Sequence, residues 1–557
     1  MAKLRGEAED AALFAAAAAL IRAEQIDSDA HLGSLLESPP SNIDPDILRH
    51  LRYMYEAGGW VILKSAIADL PSDLRWLFES GAVTIEQLGA LHDSLRATSV
   101  ADLIAAVRLE AVRCVSGLGA EAEAAIADAL PRLRKDVPRI PLGRAVSIAE
   151  PIIAQLKRLP GVVDATPAGS LRRGQDTVGD IEIVAPTSRP AEVLGALTGI
   201  EDMRVLYRGA DRLYLRSDRT QIGIRLPPPG RAGGVLLHLT GSAAHVQELA
   251  RLAASGGWVL EPDGLRRVDG QQVVAENEAE IYAALGLPFI PAELRNEGDE
   301  FVAARAGALP ELVTRSHIRG DLHMHSEWSD GRDPIEAMVQ ACAALGYEYL
   351  AITDHSPHSS AARNLSNDGV ARQADEIAAL RHRYPEVTIL HGCEVDILPD
   401  GSLDFPDRIL EQFDIVLSSL HERAGHTPDQ LLQRYSSAMR HPLVSMITHP
   451  TNRLVPYRRG YELDYDRLFE IAKETRTVLE IDGAPAHLDL DAALARRAAV
   501  AGVMLAVDSD SHRAEFLDRQ MHLGLLTARR AWIEPRHVIN TRPIDEIRAL
   551  IGAKRSL

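Results

Sequence analysis

Cysteine is scarce: Cys114, Cys342 and Cys393 are the whole complement of a 557-residue chain, and they are not clustered. Scattered thiols of this kind make neither a disulfide framework nor a cysteine zinc site, and they fit a reducing cytoplasm. Long apolar runs are also missing, so no stretch is able to cross a bilayer. The Ala-rich tract AALFAAAAALIRA near the start follows directly on Glu7, Glu9 and Asp10 and offers no secretion cleavage site, which marks it as an amphipathic helix. Positive charge is in deficit, with 60 Lys and Arg against 79 Asp and Glu and a net charge of −19. That total alone disfavours nucleic acid as a partner, although a metal site brings its own positive charge and basic segments can lie within an acidic whole. What is present is the composition of an ordinary soluble globular protein, 46% hydrophobic and 25% charged. The length calls for more than one core.

Residues 1–135 read as helical. Apolar residues recur at helical spacing in AALFAAAAALIRA, DILRHLRYMYEAGGWVIL, DLRWLFESG and TIEQLGALHDSL. Gly117-Leu118-Gly119 then joins two helical patterns, either as a plain tight turn or as a phosphate seat made of backbone N–H groups at a helix N-terminus. The most basic segment follows, with Arg132, Arg134, Lys135, Arg139 and Arg144 against Asp136, suited to a solvated linker or to a DNA backbone. Residues 136–290 mix helices and strands. Their distinctive run begins Gly169-Ser170-Leu171-Arg172-Arg173 and ends on a strand with Asp180 and Glu182 on one face. Two carboxylates so placed can share divalent cations beside a phosphate.

This run resembles the nucleotidyltransferase palm of the family X DNA polymerases, whose pattern is Gly-Ser, Arg-Arg, then Asp-x-Asp. Arg139-Ile140-Pro141-Leu142-Gly143 and Leu239-Thr240-Gly241-Ser242 extend the match, and the Gly-x-Gly turn resembles the helix-hairpin-helix of that family. The resemblance covers about residues 60–290 with gaps. It implies nucleotide contacts from Gly169, Ser170, Arg173, Thr240, Gly241 and Ser242, DNA contacts from Gly117, Gly119 and Arg139, and Mg²⁺ at Asp180 and Glu182. The sequence also departs from the pattern. Glu182 replaces an aspartate, Gly223 stands where the family has a third aspartate, and His238-Leu239 replaces an aromatic pair. Two-metal nucleotidyl transfer needs that third carboxylate, and its loss costs roughly a thousandfold in rate. The expectation is a palm that has lost polymerisation and still positions DNA. A gap-filling polymerase with both activities is the alternative.

Residues 291–317 carry no strong pattern and are expected to be a linker. From 318 to 557, β-branched strands alternate with amphipathic helices seven times, which predicts a distorted parallel (βα)7 barrel. Its first helix has a cap at Asp333, Pro334 at its start, Glu336 at capping-box spacing and Gly346 at its end. His323 and His325 alternate onto one face of the first strand, and Asp330 follows in a Ser-Asp-Gly turn. His355, Glu394, His421, His449, and Asp510 with His512 fall at the C-terminal ends of further strands, the face on which such barrels build active sites. The strand ending Glu480-Ile481-Asp482-Gly483 is the exception. So many donors exceed one ion, so two or three divalent cations are expected. Imidazole and carboxylate without thiolate suit Zn²⁺, Mn²⁺ or Fe²⁺.

The C-terminal half resembles the PHP (polymerase and histidinol phosphatase) domain across residues 318–545. H-x-H with S-D-G, T-D-H, a lone Glu, S-x-H, H-P and D-x-H are all present. The resemblance implies one metal at His323, His325, Glu394 and Asp510. A second is shared by Glu394 with His421 and His449, and a third lies at Asp330, His355 and His512. Asp510 and His512 then belong to the catalytic centre, and Arg453, with Arg458 or Arg459, neutralises phosphate oxygens. Together the two halves match the bacterial and archaeal family X polymerases. The overall expectation is a multidomain protein: helical helix-hairpin-helix region, α+β palm and thumb, and α/β barrel. It is expected to be a monomeric, cytoplasmic, nucleoid-associated hydrolase acting on DNA 3′ ends, with nucleotides as further ligands. A small-molecule phosphatase of the histidinol phosphate type is the remaining reading.

Overall fold

The computed structural model describes residues 82–95, 110–133, 139–197, 203–217, 220–296, 298–359, 363–422 and 425–556, with isolated residues before 110. The chain divides into two compact units, Met1–Pro138 with Ser217–Arg219, and Arg139–Arg216 with Thr220–Leu557. In the first, helix Ile85–Leu95 and helix Gly119–Leu133 contribute to one apolar cluster that includes Leu88, Leu91, Leu118 and Ile126. Gly117 and Gly119 have φ of +85° and +71° with open space where a side chain would begin, so backbone conformation rather than crowding asks for glycine there. The other helical stretches expected before residue 82 lie outside the described residues apart from isolated positions, as do the side chains of Arg132, Arg134 and Lys135.

The second unit opens with helix Leu142–Arg158, whose buried face (Leu142, Val146, Ala149, Ile152, Leu156) packs onto a five-stranded sheet. Its strands are β1 (Thr166–Pro167), β2 (Ile181–Val184), β3 (Arg204–Arg208), β4 (Arg212–Ser217) and β5 (Thr220–Arg225), in the order β1-β2-β5-β4-β3. Strands β2 and β5 are parallel and set Glu182 opposite Gly223. Beyond the sheet, Leu237, Leu249, Leu265, Ile281 and Tyr282 form a separate core.

Residues 291–317, expected as a linker, are part of the fold instead. Leu294, Phe301, Ala304 and Leu312 complete the core just described, and Val313 joins the core of the barrel. Arg295 is fully buried on Glu278 and donates to the Ile290 carbonyl at 2.9 Å. The stretch shows little periodicity because its helices are short (Ala292–Leu294 and Asp299–Ala306) and its apolar residues serve two cores.

The barrel follows with β6 (Gly320–Asp321), β7 (Tyr349–Ile352), β8 (Thr388–Asp396), β9 (Ile415–Ser419), β10 (Val444–Ile447), β11 (Val478–Asp482) and β12 (Leu505–Asp508). All seven strands are parallel and lie in chain order. Alternation along each strand sends Ile389, Cys393, Val416, Leu479 and Val507 out to the helices, while Tyr349, Ala351, Leu390, Leu417, Met446 and Ala506 belong to a second, inner cluster. Two-residue steps onward from that apolar floor reach His355, Glu394, Thr448 and Asp510 at the top. The first and last strands meet through a parallel bridge between Met324 and Ser511. Lower down, the Asn540 side chain donates to the carbonyls of Gly320 (3.0 Å) and Val507 (2.6 Å) and accepts from the Val507 amide, bridging the seam that strand pairing leaves open. The helix after β6 is Ile335–Ala344, ended as expected at Gly346. Asp333 does not cap it, because its carboxylate accepts from the Ala514 amide at 2.8 Å.

Candidate metal centre

The nine metal ligands proposed from sequence converge at the mouth of the barrel. His323 and His325 are fully buried, and their Nε2 atoms stand 3.6 and 3.0 Å from Asp510 Oδ1 and 3.5 and 3.7 Å from Glu394 Oε2. The other oxygen, Glu394 Oε1, lies 2.8 Å from His449 Nε2 and 3.7 Å from His421 Nε2. Asp330 Oδ1 faces His512 Nε2 at 3.2 Å and His355 Nε2 at 3.6 Å, while His355 Nδ1 is 2.8 Å from Glu394 Oε2. Glu394 thus divides its two oxygens between neighbouring groups of imidazoles.

The donor set passes a physical test for cations. Glu394 is fully buried, yet its Oε2 accepts no hydrogen bond of proper geometry, and His355 Nδ1 is likewise without one. An ionised carboxylate held dry in this way is expensive unless a cation satisfies it. Three sets of donor atoms lie within 4.8 Å of one another: His325, Asp330, His355 and His512; His323, His325 and Asp510; and His355, Glu394 and His421. Their imidazole and carboxylate chemistry suits divalent transition metals.

Local structure presents each ligand. Asp354 ties down the Ser-Asp-Gly turn by accepting from the amides of Ser326 (2.8 Å) and Ser329 (3.1 Å) and from the Ser326 hydroxyl (2.6 Å). A side chain at Gly331 would start 2.6 Å from the Ser326 backbone, so only glycine lets the turn fold back to carry Asp330 beside the histidines. His449 and Asp510 have φ of +27° and +48°, strained conformations for non-glycine residues, which the surrounding fold imposes at the points where ligands leave their strands.

Electrostatics binds the cluster together. Burial alone would lower the pKa of His449, but Glu394 and Glu480 raise it to about 9. For His512 burial is outweighed by Asp330 and Asp510, again to about 9. His325 is driven the other way, to about 3, by burial and by the rings of His355 and His512 stacked against it at 4.3 and 4.4 Å. Burial pushes the Glu394 carboxyl upward, but the surrounding histidines hold it well below the usual range.

Several contributors escaped the sequence reading. Glu480, on the strand singled out as the exception, accepts from His323 Nδ1 at 2.7 Å and from the His449 amide at 2.7 Å. Since a carboxylate accepts, His323 carries its proton on Nδ1 and turns the Nε2 lone pair into the site. Asp396 does the same for His421 at 3.0 Å. His487 lines the cavity and stacks on His449 at 5.3 Å. The inward register of Glu480 and Asp396 on their strands was the available signal. His487 had none.

Arg453 does not line the cavity. Its guanidinium donates to the carbonyls of His487 (3.0 Å) and Leu488 and pairs with Asp176 at 2.7 Å. Asp176, after the Gly-Ser run, also pairs with Arg530, so Arg453 clamps the five-stranded domain to the barrel rather than facing phosphate. Leu488, Leu523 and Leu526 of the barrel enter the core of that domain at the same junction.

The polymerase-like residues gather differently. Arg173 donates to the Thr240 carbonyl at 2.6 Å, Arg172 to the Thr240 hydroxyl at 3.2 Å, and Arg139 to the Thr177 hydroxyl at 2.7 Å. Gly169 begins a short helix with φ of +64°, and a Cβ there would be 3.8 Å from the Leu239 carbonyl. Ser242 caps the next helix through the His245 amide and donates to the Asn296 carbonyl at 3.0 Å, and Gly241 precedes it. Burial raises the Asp180 carboxyl; Glu182 is raised by burial too, against the pull of Arg225, which donates to it at 3.3 Å. A Cβ at Gly223 would stand 2.5 Å from both Glu182 carboxylate oxygens. The longer acid at 182 and the missing acid at 223 are therefore one packing change, because the Glu182 head group fills the space a side chain at 223 would need.

Comparison with known proteins agrees with this division. Residues 235–296 match the family model described as DNA polymerase beta thumb, and residues 321–484 match the PHP domain. The chain is 34% identical to the DNA polymerase/3′-5′ exonuclease PolX of Bacillus subtilis (strain 168) over 494 residues, 88% of this chain and 86% of that protein. The chain is also similar, over less than half of its length, to smaller proteins. One is a probable phosphatase of Syntrophotalea carbinolica, 28% identical over 40% of this chain and 90% of that one. Another is a probable phosphatase of Thermoanaerobacter sp. (strain X514), 29% identical over 44% of this chain and 95% of that one. Among the described residues no helix is long and apolar enough to cross a membrane.

Proposed function

Since the chain belongs to the family X DNA polymerases that carry a C-terminal PHP domain, we propose that its barrel is a metal-dependent phosphoesterase acting on DNA 3′ ends. The activity would be that of a 3′–5′ exonuclease or an end-processing enzyme in repair. The observation that carries this reading is the Glu394 carboxylate, buried among imidazoles with one oxygen turned to each side. His323, His325, Glu394 and Asp510 would hold one cation, Glu394 with His421 and His449 a second, and Asp330, His355 and His512 a third. Bound there, Zn²⁺, Mn²⁺ or Fe²⁺ supplies Lewis acidity and a water acidic enough to attack phosphorus near neutral pH.

The chain's own residues do the rest. Glu480 fixes the tautomer of His323 and, through the His449 amide, the backbone of a second ligand. Asp396 orients His421. Asp354 holds the turn that presents Asp330. Metal-loaded protein incubated with end-labelled gapped DNA should shorten the labelled strand from its 3′ end, and the Glu394→Ala variant should not.

A second reading keeps the palm active, so that the protein also fills gaps with nucleotides. The similarity to PolX over most of both chains and the retained Asp180 favour it over a silent palm. Gly223 and the Glu182–Arg225 pair oppose it. Nucleotide incorporation on a primed gap, compared with Asp180→Ala, decides between them. The similarity to probable phosphatases over less than half of this chain supports small phosphomonoesters as a further substrate class to include in the same assay.

A further inference from the structure

Every barrel strand except β11 carries a proposed metal ligand at or just beyond its C-terminal end. The chain leaving β11 brings His487 to the metal cavity instead, and the half-buried imidazole helps to line it. That cavity, about 270 Å³, is otherwise walled by Ser359 and by residues already assigned as ligands. Among the described residues, neither a lysine nor an arginine lines it.

The segment that carries His487 is fixed from several sides. Asp482 and Asp489 bond backbone to backbone in both directions, at 2.6 and 3.2 Å. The Asp489 carboxylate accepts from the Thr451 amide (3.0 Å) and hydroxyl (2.9 Å). Val455 donates its amide to the Ala486 carbonyl at 2.7 Å, and Arg453 its guanidinium to the His487 carbonyl at 3.0 Å. Yet the side chain so firmly delivered has little to do. Its ring stacks on His449 at 5.3 Å, none of the three donor groups includes it, and its buried Nδ1 has no hydrogen-bond partner. A buried N–H left unpaired is rarer than an unpaired acceptor. Nδ1 is therefore assigned the lone pair, which puts the proton on Nε2.

We propose that His487 is a substrate contact, its Nε2–H donating to a non-bridging oxygen of the phosphate under attack. It stands beside the metal ligands rather than among them. A donor on a backbone pinned this well needs no reorganisation as charge develops on the phosphate oxygens. Because the contact is to the phosphate itself, it serves a DNA diester and a small ester alike. The inference rests on the phosphoesterase reading above and adds a residue that touches the substrate.

The test uses the full chain loaded with Mn²⁺ and two substrates, an end-labelled single-stranded oligonucleotide and bis(p-nitrophenyl) phosphate. Binding of inorganic phosphate is followed by calorimetry and metal content by elemental analysis. In His487→Ala, kcat/KM should fall by about 10–100-fold on both substrates, the worth of one hydrogen bond to a charged group. Phosphate should bind more weakly in step, with metal content per chain unchanged. His487→Phe, which keeps a ring against His449 and loses the N–H, should fall as far. His487→Gln, whose amide can place an N–H near that of Nε2, should recover most of the loss. Metal content that drops in His487→Phe would make the residue a ligand and overturn the proposal. A phenylalanine variant as active as wild type, or a glutamine variant no better than alanine, would also overturn it, with the phosphoesterase reading surviving. Wild-type protein that binds phosphate through His487 and cleaves neither substrate would sink that reading and leave the contact standing.

Discussion

Two acids at strand ends invite comparison: Glu394 in the barrel and Glu182 in the five-stranded sheet. Glu394 is fully buried, with imidazoles on both sides and an oxygen that accepts no hydrogen bond. Glu182 is met by a guanidinium from the neighbouring strand and closes over a glycine. The first arrangement is incomplete without added positive charge, and the second supplies its own. An acid left unsatisfied in a dry site is costly and persists where a ligand relieves it. Partnered acids of the same type are consistent with a role in packing alone. The comparison separates an acid whose surroundings call for a cation from one that already has a guanidinium partner.

The largest effect expected from breaking the comparison is at Glu394 itself. Glu394→Ala should lower exonuclease activity by roughly a thousandfold or more, with metal content per chain falling in parallel when measured by elemental analysis. Next is the clamp between the two domains. Asp176→Ala strands two largely buried guanidinia and should cost about 3 kcal/mol of stability, read from denaturant unfolding, without changing how many metals a folded chain holds. Glu480→Gln removes the carboxylate behind His323 and should weaken metal affinity by about 10–100-fold, measured by competition with a chelator.

On the other side of the comparison, Gly223→Asp alone should destabilise the protein by about 2 kcal/mol through crowding and like charge. Glu182→Asp in the same chain should recover most of that loss, giving a clear coupling energy in a double-mutant cycle. The smallest effect is in the pH dependence of the metal-free protein. Because His449 and His512 titrate near 9 when folded, above the ordinary 6.5, their pairing with acids stabilises the protein fully below pH 6.5. That contribution disappears as pH rises through about 9. The melting temperature of metal-stripped protein should fall by a few degrees across this window, while metal-loaded protein, whose histidines are already deprotonated, should hold level.

The barrel was legible because its evidence is local. Each strand is a short apolar run, each ligand follows within a few residues, and the two-residue alternation fixes which side chains share a face. Helix stops such as Gly346 were legible for the same reason. What sequence could not supply was the identity of long-range partners. Arg453 has the right charge and lies close to His449 in sequence, but its carboxylate partner is 277 residues away. Asp333 has the right chemistry and position for a cap, yet an amide 181 residues distant claims it. The stretch 291–317 showed no periodicity because two separate cores share its apolar residues. In the sheet domain the departures at 182 and 223 were visible in sequence, but only the β2–β5 register reveals them as a single exchange of volume.

Strands β6 and β12 lie side by side, and the bond from the Leu322 amide to Asp508 that joins them closes over 186 residues. Histidines near one end of the barrel's sequence therefore wait for acids made near the other. A ribosome releasing this chain delivers His323 and His325 long before Asp510 and His512, so no product that stops short of Asp510 holds the complete constellation. Whatever chemistry the ring confers can begin only once both ends of the barrel's sequence have met, and a chain that stops short of Asp510 lacks both Asp510 and His512.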